Sequence, residues 1–327
     1  MQAVDSRATA PQMPPATPST PDKQAARVRR RRRPQWTPLF LAVPALVLLA
    51  GLLAYPLGRM LVLSFQDMQL RHLFSGATPP WVGFDNYTQI LTDGVFWRVV
   101  RRTAIFTVVS VAISIVLGLA VALLMQRVSN GIRVAMVIVM MFVWSIPQLV
   151  SAQIFKWMVD ADFGILNYLI DQIPGVDFAN HSWFASPTQG WIVITTLVVW
   201  AGVPFLAITL HAGLTQVPQE LREAAMVDGA SPWQTLRNII LPVLRPLVII
   251  VTTLSVIWNF GLFTQVWALR DSKPEQEYQT LATYAFTQAF GRNEYSLGSA
   301  ISVITVVLML GVMAFYVRQM FQIGDVD

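Results

Sequence analysis

Residues 217–242 form the most informative stretch of this chain, VPQELREAAMVDGASPWQTLRNIILP. The pattern predicts two short helices that meet at a sharp angle. Pro218 suits the first turn of the first helix, where a missing N–H costs nothing, and Gly229 suits the left-handed position that stops it. Ser231 is a favoured cap for a second helix that has a proline at its first position. We expect Pro242 to end that second helix at the membrane.

The chain on both sides of this loop is strongly apolar. Hydrophobic residues make up 54% and charged residues only 13%, against about 25% charged residues in soluble domains. Six apolar blocks could each cross a hydrocarbon core, which needs about 20 helical residues, and helices satisfy every backbone amide there. We therefore predict an all-α, polytopic membrane protein. The blocks are approximately Leu39–Phe65, Thr103–Met125, Ile132–Phe155, Gly190–His211, Val243–Phe263 and Gly298–Met320.

The first residues of the chain, 1–36, are basic and lack periodic apolar positions. We expect a disordered cytoplasmic tail, with the arginine run at 29–33 holding this end inside the cell. Nucleic-acid binding is the alternative for such a run. The paired arginines also resemble an export signal, but the apolar stretch is too long and no small-residue cleavage site follows it.

Counting crossings from this tail predicts a multi-pass protein of the bacterial plasma membrane with both termini in the cytoplasm. The loop 217–242 is then cytoplasmic, and most basic residues beside the blocks obey the positive-inside rule. The exceptions are Arg98, Arg101 and Arg102, which fall at the outer end of the second block.

Several classes of chemistry lack their usual residues. No Asp, Glu, Lys or Arg lies near the middle of a block, where proton- or sodium-coupled transporters usually keep such residues. The chain contains no Gly-x-x-x-x-Gly-Lys-Ser/Thr phosphate loop, so we expect ATP to be used by another chain and no cofactor to bind here. Without cysteine, and with histidines that lack metal-ligand spacing, it offers no catalytic or metal site.

The loop also carries a resemblance. Glu-Ala-Ala at 223–225, Gly229 after three residues, and Ile-x-Leu-Pro at 239–242 after nine more resemble the signature loop of permeases in binding-protein-dependent ABC importers. The resemblance covers roughly residues 37–320 and implies a six-helix type I permease domain at 37–322. It further implies that Glu223–Gly229 is a coupling helix that sits in a cleft of a separate ATPase. The residues it assigns to ATPase coupling are Glu223, Ala224, Ala225, Asp228, Gly229, Leu241 and Pro242.

Weaker matches resemble the maltose-type sugar permeases. That resemblance implies a carbohydrate substrate, favouring a di- or oligosaccharide, with a second permease subunit, two ATPase subunits and an extracytoplasmic sugar-binding protein. The surroundings would be membrane lipid, with no nucleic acid. One stretch departs from the family, because residues 269–274 replace its glycine-rich segment. The matches are Tyr55-Pro56, Val82–Tyr87, Phe96-Trp97, Thr280-Leu281, Tyr284, Ala289-Phe290 and Gly298–Ala300.

Substrate contacts are predicted from helix faces and from the resemblance. In the fifth block, Ser255, Trp258 and Asn259 share one face at helical spacing, and neutral polar groups are the natural ligands in a membrane pathway. By distance from the signature loop, the maltose-type permeases imply the same three residues together with Gly202 and Phe205. Helix packing remains the alternative for Gly202 and Trp258.

Two other classes of function stay open. A six-helix secondary transporter or channel would work without ATP, but the charge-free blocks and the loop at 217–242 count against it. A membrane-embedded hydrolase would need a serine–histidine or metal constellation inside the bilayer, and we find none in the sequence.

Overall fold

A computed structural model describes residues 37–324, in a chain that divides into two units, 1–54 and 55–327. In the first unit, helix α1 (Thr37–Leu49) is followed by a π-helical turn at Ala50–Ala54. None of the side chains described in 40–54 is buried. A helix that is apolar all round and unburied by its own chain needs lipid or another protein around it. The predicted tail, residues 1–36, lies outside the described residues.

The second unit is also helical, and residues 55–324 contain no strand longer than an isolated bridge. The all-α prediction is confirmed. Its helices are α2 (Tyr55–Leu63), α3 (Leu70–Ser75), α4 (Asp85–Thr92), α5 (Gly94–Arg127), α6 (Asn130–Ser145), α7 (Gln148–Met158), α8 (Ile165–Asp171), α9 (Pro187–Thr215), α10 (Gln219–Val227), α11 (Pro232–Thr235), α12 (Leu241–Phe260), α13 (Thr264–Leu269), α14 (Leu281–Phe286) and α15 (Tyr295–Gly324).

Within residues 37–324, five helical stretches are continuous, long and apolar enough to cross a membrane. α5 begins nine residues before the predicted block, because its first turns carry polar residues that a hydropathy pattern leaves out. The five stretches are Phe40–Leu63, Gly94–Arg127, Pro187–Thr215, Pro232–Phe260 and Tyr295–Gln319.

The remaining predicted span, Ile132–Phe155, is not one straight helix. α6 and α7 meet at an angle of 96°, so the pair counts as a sixth span only if it is read as a broken one. The break lies at Ile146, whose backbone is extended (φ −65°, ψ 126°), and at Pro147. A residue before proline is driven out of helical geometry by the proline ring, which explains the break.

Helices α5 and α9 run parallel and form the centre of the second unit. A Cβ at Gly118 would lie 2.8 Å from the Cβ of Leu206, so only glycine permits this approach. One turn further on, the His211 Nδ1 atom lies 3.3 Å from the carbonyl oxygen of Ala122. Two apolar clusters contain residues of both helices, and the second of them, which includes Ala122 and Leu210, leads to the loop at 217–242. We call that end of the bundle the loop end and the opposite end the far end.

Candidate functional site

The signature loop, residues 217–242, has the local structure that its caps predict. α10 ends before Gly229, whose φ of +77° is the left-handed conformation expected there. Ser231 caps the next helix reciprocally: its Oγ accepts from the Gln234 N–H at 3.3 Å, and its own N–H donates to Gln234 Oε1 at 2.7 Å. Pro218 lies at the cap position, one residue before the helix rather than in its first turn. The prediction of two angled helices is otherwise confirmed.

The prediction that Pro242 ends the second helix is wrong. The helix runs on through a π-helical turn at Leu236–Ile240 into α12 without a break. In this turn the Leu241 N–H donates to the Leu236 carbonyl, five residues back. A wider turn before the proline accommodates its ring and its missing N–H. The second helix of the loop therefore continues without interruption into the membrane helix α12.

Arg222 fixes α10 to the loop ends of α5 and α9. Its guanidinium donates to Gln126 Oε1 at 3.1 Å and to the Leu214 carbonyl at 2.8 Å. Hydrogen bonds from a charged donor are roughly twice as strong as neutral ones. Ala225 is buried against the same side, so it packs within the chain instead of leaving room for an outside surface. A displacement of α10 must therefore move both long helices.

The opposite face of the loop is exposed. It presents Glu223, Ala224, Asp228 and Gly229, whereas Leu241 is half-buried and Pro242 is exposed at the start of α12. The Glu223 carboxylate accepts from Gln219 Nε2 at 2.6 Å, one helical turn away.

Large apolar side chains of the loop are also exposed, and the sequence analysis did not single them out. Val227 is 88% exposed, and Met226 and Trp233 are each 65% exposed. An apolar surface rimmed by polar groups marks a protein contact. The signal available in the sequence was the presence of Met-Val and Trp in an otherwise polar loop.

A second candidate site is a cavity of about 430 Å³ beside α9, α12 and the α6–α7 break. Of the residues predicted to contact substrate, Gly202, Trp258 and Asn259 line it. Gln148 follows the break and also lines the cavity. A Cβ at Gly202 would lie 3.8 Å from Ser114 Oγ. This is ordinary contact, so helix packing does not require glycine at 202.

Trp144 and Trp258 line this cavity, whereas the predicted contact Phe205 packs against both rings and does not line it. The Phe205 ring centroid lies 5.2 Å from that of Trp258, nearly edge-on, and 6.1 Å from that of Trp144, nearly parallel. Trp144 and Trp258 are each about half exposed. The sequence analysis missed Trp144, although a tryptophan just before a helix-breaking Ile-Pro pair was the available signal.

The polar wall of the cavity contains buried acceptors. Asn259 Nδ2 donates to the Ser255 carbonyl at 2.7 Å, while Asn259 Oδ1 is buried and unpartnered among the described residues. Gln265 Oε1, on α13, is likewise buried and unpartnered among the described residues. Leaving such a group unsatisfied costs about 1–3 kcal/mol, so both oxygens suit a hydroxyl donor. Ser255 is buried and does not line the cavity, and its backbone holds the amide in place.

Charged side chains hold in place the segment 269–274, where the chain departs from the maltose-type pattern. The Arg270 guanidinium lies 4.6 Å from the Phe184 ring centroid and 4.7 Å from that of Tyr278. Both oxygens of Glu275 accept from it, and this lowers the pKa of the Glu275 carboxyl below its ordinary value. Lys156 on α7 pairs with Asp271. These contacts hold α13, and with it Gln265, against the bundle.

Similarity to known proteins extends over most of the chain. The family described as "Binding-protein-dependent transport system inner membrane component" matches residues 114–322. The diacetylchitobiose uptake system permease protein DasB of Streptomyces coelicolor is 37% identical over 281 residues, 86% of this chain and 85% of its own length. The trehalose/maltose transport system permease protein MalF of Thermococcus litoralis is 33% identical over 239 residues, 73% of this chain and 79% of its own length.

The fold is shared with a solved transporter. A crystal structure of a bacterial ABC transporter involved in the import of the acidic polysaccharide alginate matches with a TM-score of 0.73 at 19% identity, over 88% of this chain and 96% of that one. The relatives are transport permeases. Taken with the signature loop and the apolar helices, these findings show that the chain belongs to the binding-protein-dependent inner-membrane transport family, as a multi-pass permease subunit of an ABC sugar importer.

Proposed function

We propose that this chain forms half of a translocation pathway for a di- or oligosaccharide and that the signature loop couples this pathway to a separate ATPase. The observation that carries the proposal is the two-sided character of α10. One side is tied by Arg222 to α5 and α9, whereas the other side is exposed. Movement of a partner bound to the exposed face would reach the helices around the cavity.

The exposed face suits a cleft in another protein. Val227 offers apolar area on this face, and Met226 and Trp233 offer more at the edge that Arg222 lines. Burial of apolar area is the main driving force of association. Glu223 and Asp228 supply charges that basic or amide groups of an ATPase subunit can meet. ATP would bind to that subunit, so this chain would carry no cofactor of its own.

The cavity suits an uncharged, hydroxyl-rich ligand. Aromatic rings present apolar faces to a sugar ring, and the free oxygens of Asn259 and Gln265 can accept from its hydroxyl groups. The volume of about 430 Å³ falls in the usual range of ligand sites, about 300–1,000 Å³. The names of the two relatives, which refer to diacetylchitobiose and to trehalose and maltose, support a di- or oligosaccharide.

The assembly we propose contains a second permease subunit, two ATPase subunits and an extracytoplasmic sugar-binding protein. The exposed wall at Trp144 and Trp258 would face the second permease across the pathway. Both termini and the signature loop would lie in the cytoplasm. Arg127, Arg133 and Arg222 at the loop end are consistent with the positive-inside rule.

Transport by the reconstituted assembly tests this function. The two permeases, the ATPase and the binding protein are placed in proteoliposomes, and uptake of a labelled oligosaccharide is followed with ATP inside or outside. We expect uptake only when ATP is on the side of the signature loop, and none when the ATPase subunit carries an inactivating substitution in its phosphate loop. Undiminished uptake with the inactive ATPase would support the secondary-transporter alternative instead.

A further inference from the structure

A groove of about 710 Å³ lies at the far end of the bundle, between α5 and α9. We call the part of the groove nearest the far end its upper part. It is lined by three arginines: Arg98, Arg101 and Arg102. Its lower part is apolar, with Ile105, Val109, Ile113 and Ile192 lining it and each 40% exposed or more. The groove is separate from the cavity around Asn259.

The charge of the upper part is strongly positive. Glu277 is the one carboxylate in the lining, against three guanidinium groups. Arg102 is held in place, donating to the carbonyls of Gln276 at 2.7 Å and Gln279 at 3.2 Å. Arg98 and Arg101 are exposed and form no ion pair with any residue from 40 to 319. Both guanidinium groups are therefore accessible to an anion.

The depth of the groove matches one leaflet of a bilayer. At about 1.5 Å per helical residue, Arg102 and Arg127 are about 38 Å apart along α5, so the two ends of the helix reach opposite headgroup layers of a bilayer about 40–45 Å thick. On the same scale, Ile113 lies about 17 Å below Arg102. The apolar part thus spans about half of a 30 Å hydrocarbon core.

From this arrangement we propose that the groove between α5 and α9 binds an anionic phospholipid. The phosphate would meet Arg98, Arg101 and Arg102, and an acyl chain would lie along Val109 and Ile113. Basic residues at this end work against the orientation that the positive-inside rule favours. A bound anionic headgroup offsets their charge.

Lipid retention by the purified transporter tests the proposal. The assembled complex is placed in nanodiscs that contain phosphatidylcholine with a minor fraction of phosphatidylglycerol, and bound lipid is counted by native mass spectrometry after release. We expect the wild-type complex to retain phosphatidylglycerol over phosphatidylcholine. The double variant Arg98→Gln/Arg101→Gln should retain about 25-fold less, since each basic residue near an anionic surface contributes about fivefold.

Two further variants separate charge from shape. Arg71→Gln/Arg292→Gln removes the same charge from a polar pocket elsewhere in the second unit and should leave retention unchanged. Val109→Trp fills the apolar part without a change in charge and should also reduce retention. Equal retention by wild type and both groove variants would overturn the proposal, as would equal retention of the two lipids.

A protein occupant would give a different result. The chain has no cysteine, so Ile113→Cys provides a single reactive site in the groove. In the intact complex, we expect a photoactivatable phosphatidylglycerol to label peptides of α5 or α9. Cross-linking of Ile113→Cys to the second permease or the binding protein, with no lipid labelling of these helices, would overturn the proposal in favour of a protein contact.

Discussion

The signature loop and the central cavity differ in how the chain builds them. Every contact that shapes the loop at Gly229 and Ser231 joins residues within five positions of each other. The cavity instead requires Gln148, Gly202 and Asn259 from three separate helices. The loop can therefore move as one preformed body, whereas the cavity changes shape whenever its helices shift. A transporter coupled to an ATPase would need both properties, because a rigid loop would have to transmit movement to a binding site that can change shape.

Reversal of charge on the loop should give the largest effect. We expect Glu223→Arg to reduce uptake by about 100-fold or more, since a like charge brought into an interface costs several kcal/mol. Asp177→Arg makes the same change on an exposed residue at the far end and should transport normally. Membrane levels of both variants are measured by quantitative blotting. Normal uptake by Glu223→Arg would remove the loop from the coupling step.

Removal of the Arg222 hydrogen bonds that join the loop to the bundle should impair transport without abolishing ATP hydrolysis. Arg222→Met removes the hydrogen bonds to Gln126 and Leu214, each worth about 1.5–3 kcal/mol because the donor is charged. We expect ATP hydrolysis by the complex to persist while uptake falls by about tenfold or more. Arg237→Met, at an exposed position of the same loop, is the matched control. Uptake and hydrolysis that fall in proportion would argue against a transmitting role.

A change in the cavity should affect substrate but not coupling. We expect Asn259→Leu to raise the half-saturation concentration for uptake by about tenfold, the value of one lost hydrogen bond of about 1.4 kcal/mol. Thermal stability should change little, because loss of the Nδ2 hydrogen bond to the Ser255 carbonyl is offset by removal of a buried acceptor that has no partner among the described residues. Ser255→Ala, whose side chain does not line the cavity, should change the half-saturation concentration by less than about twofold. Equal effects of the two variants would mean that Asn259 acts through packing.

The smallest effect is expected at the contact between Arg270 and Glu275, which helps to hold α13 at the cavity wall. Because Arg270 lowers the pKa of Glu275, their contact stabilises the fold above the ordinary carboxyl pKa and is lost as the pH falls through the lowered value. Glu275→Gln should therefore lower the melting temperature by about 1 °C at neutral pH. The difference from wild type should shrink as the pH falls below the ordinary carboxyl pKa and through the lowered one. A difference that is independent of pH would show that the ion pair contributes nothing.

The sequence predicted the loop well for the same physical reason that makes it stiff. The caps at Gly229 and Ser231 depend on short-range hydrogen bonds, so residue type and spacing determine them. The prediction at Pro242 was wrong because the π-helical turn at Leu236–Ile240 lets the helix continue although proline lacks an N–H. No residue pattern in the sequence indicates that turn. The 96° break at Ile146 was not predicted, because hydropathy alone marks Ile132–Phe155 as one continuous apolar block.

The cavity could be predicted only in part. Trp258 and Asn259 follow from a helix face, because neighbours on one face share a surface wherever the helix lies, and Gly202 follows from the family resemblance. Trp144 and Gln265 come from other elements, and their approach depends on tertiary contacts that one sequence does not display. Arg222 was counted for orientation only, yet its partner Gln126 is 96 residues away.

Proximity between the loop and the ATPase tests the central claim most directly. Val227 is 88% exposed at the tip of α10, and Val227→Cys would be the only cysteine in the chain. In the assembled transporter, we predict that a short bifunctional reagent cross-links this cysteine to the ATPase subunit, and that Phe74→Cys, also strongly exposed, gives no such product. No cross-link to the ATPase, together with labelling of Val227→Cys as fast in the complex as in the isolated permease, would contradict the account.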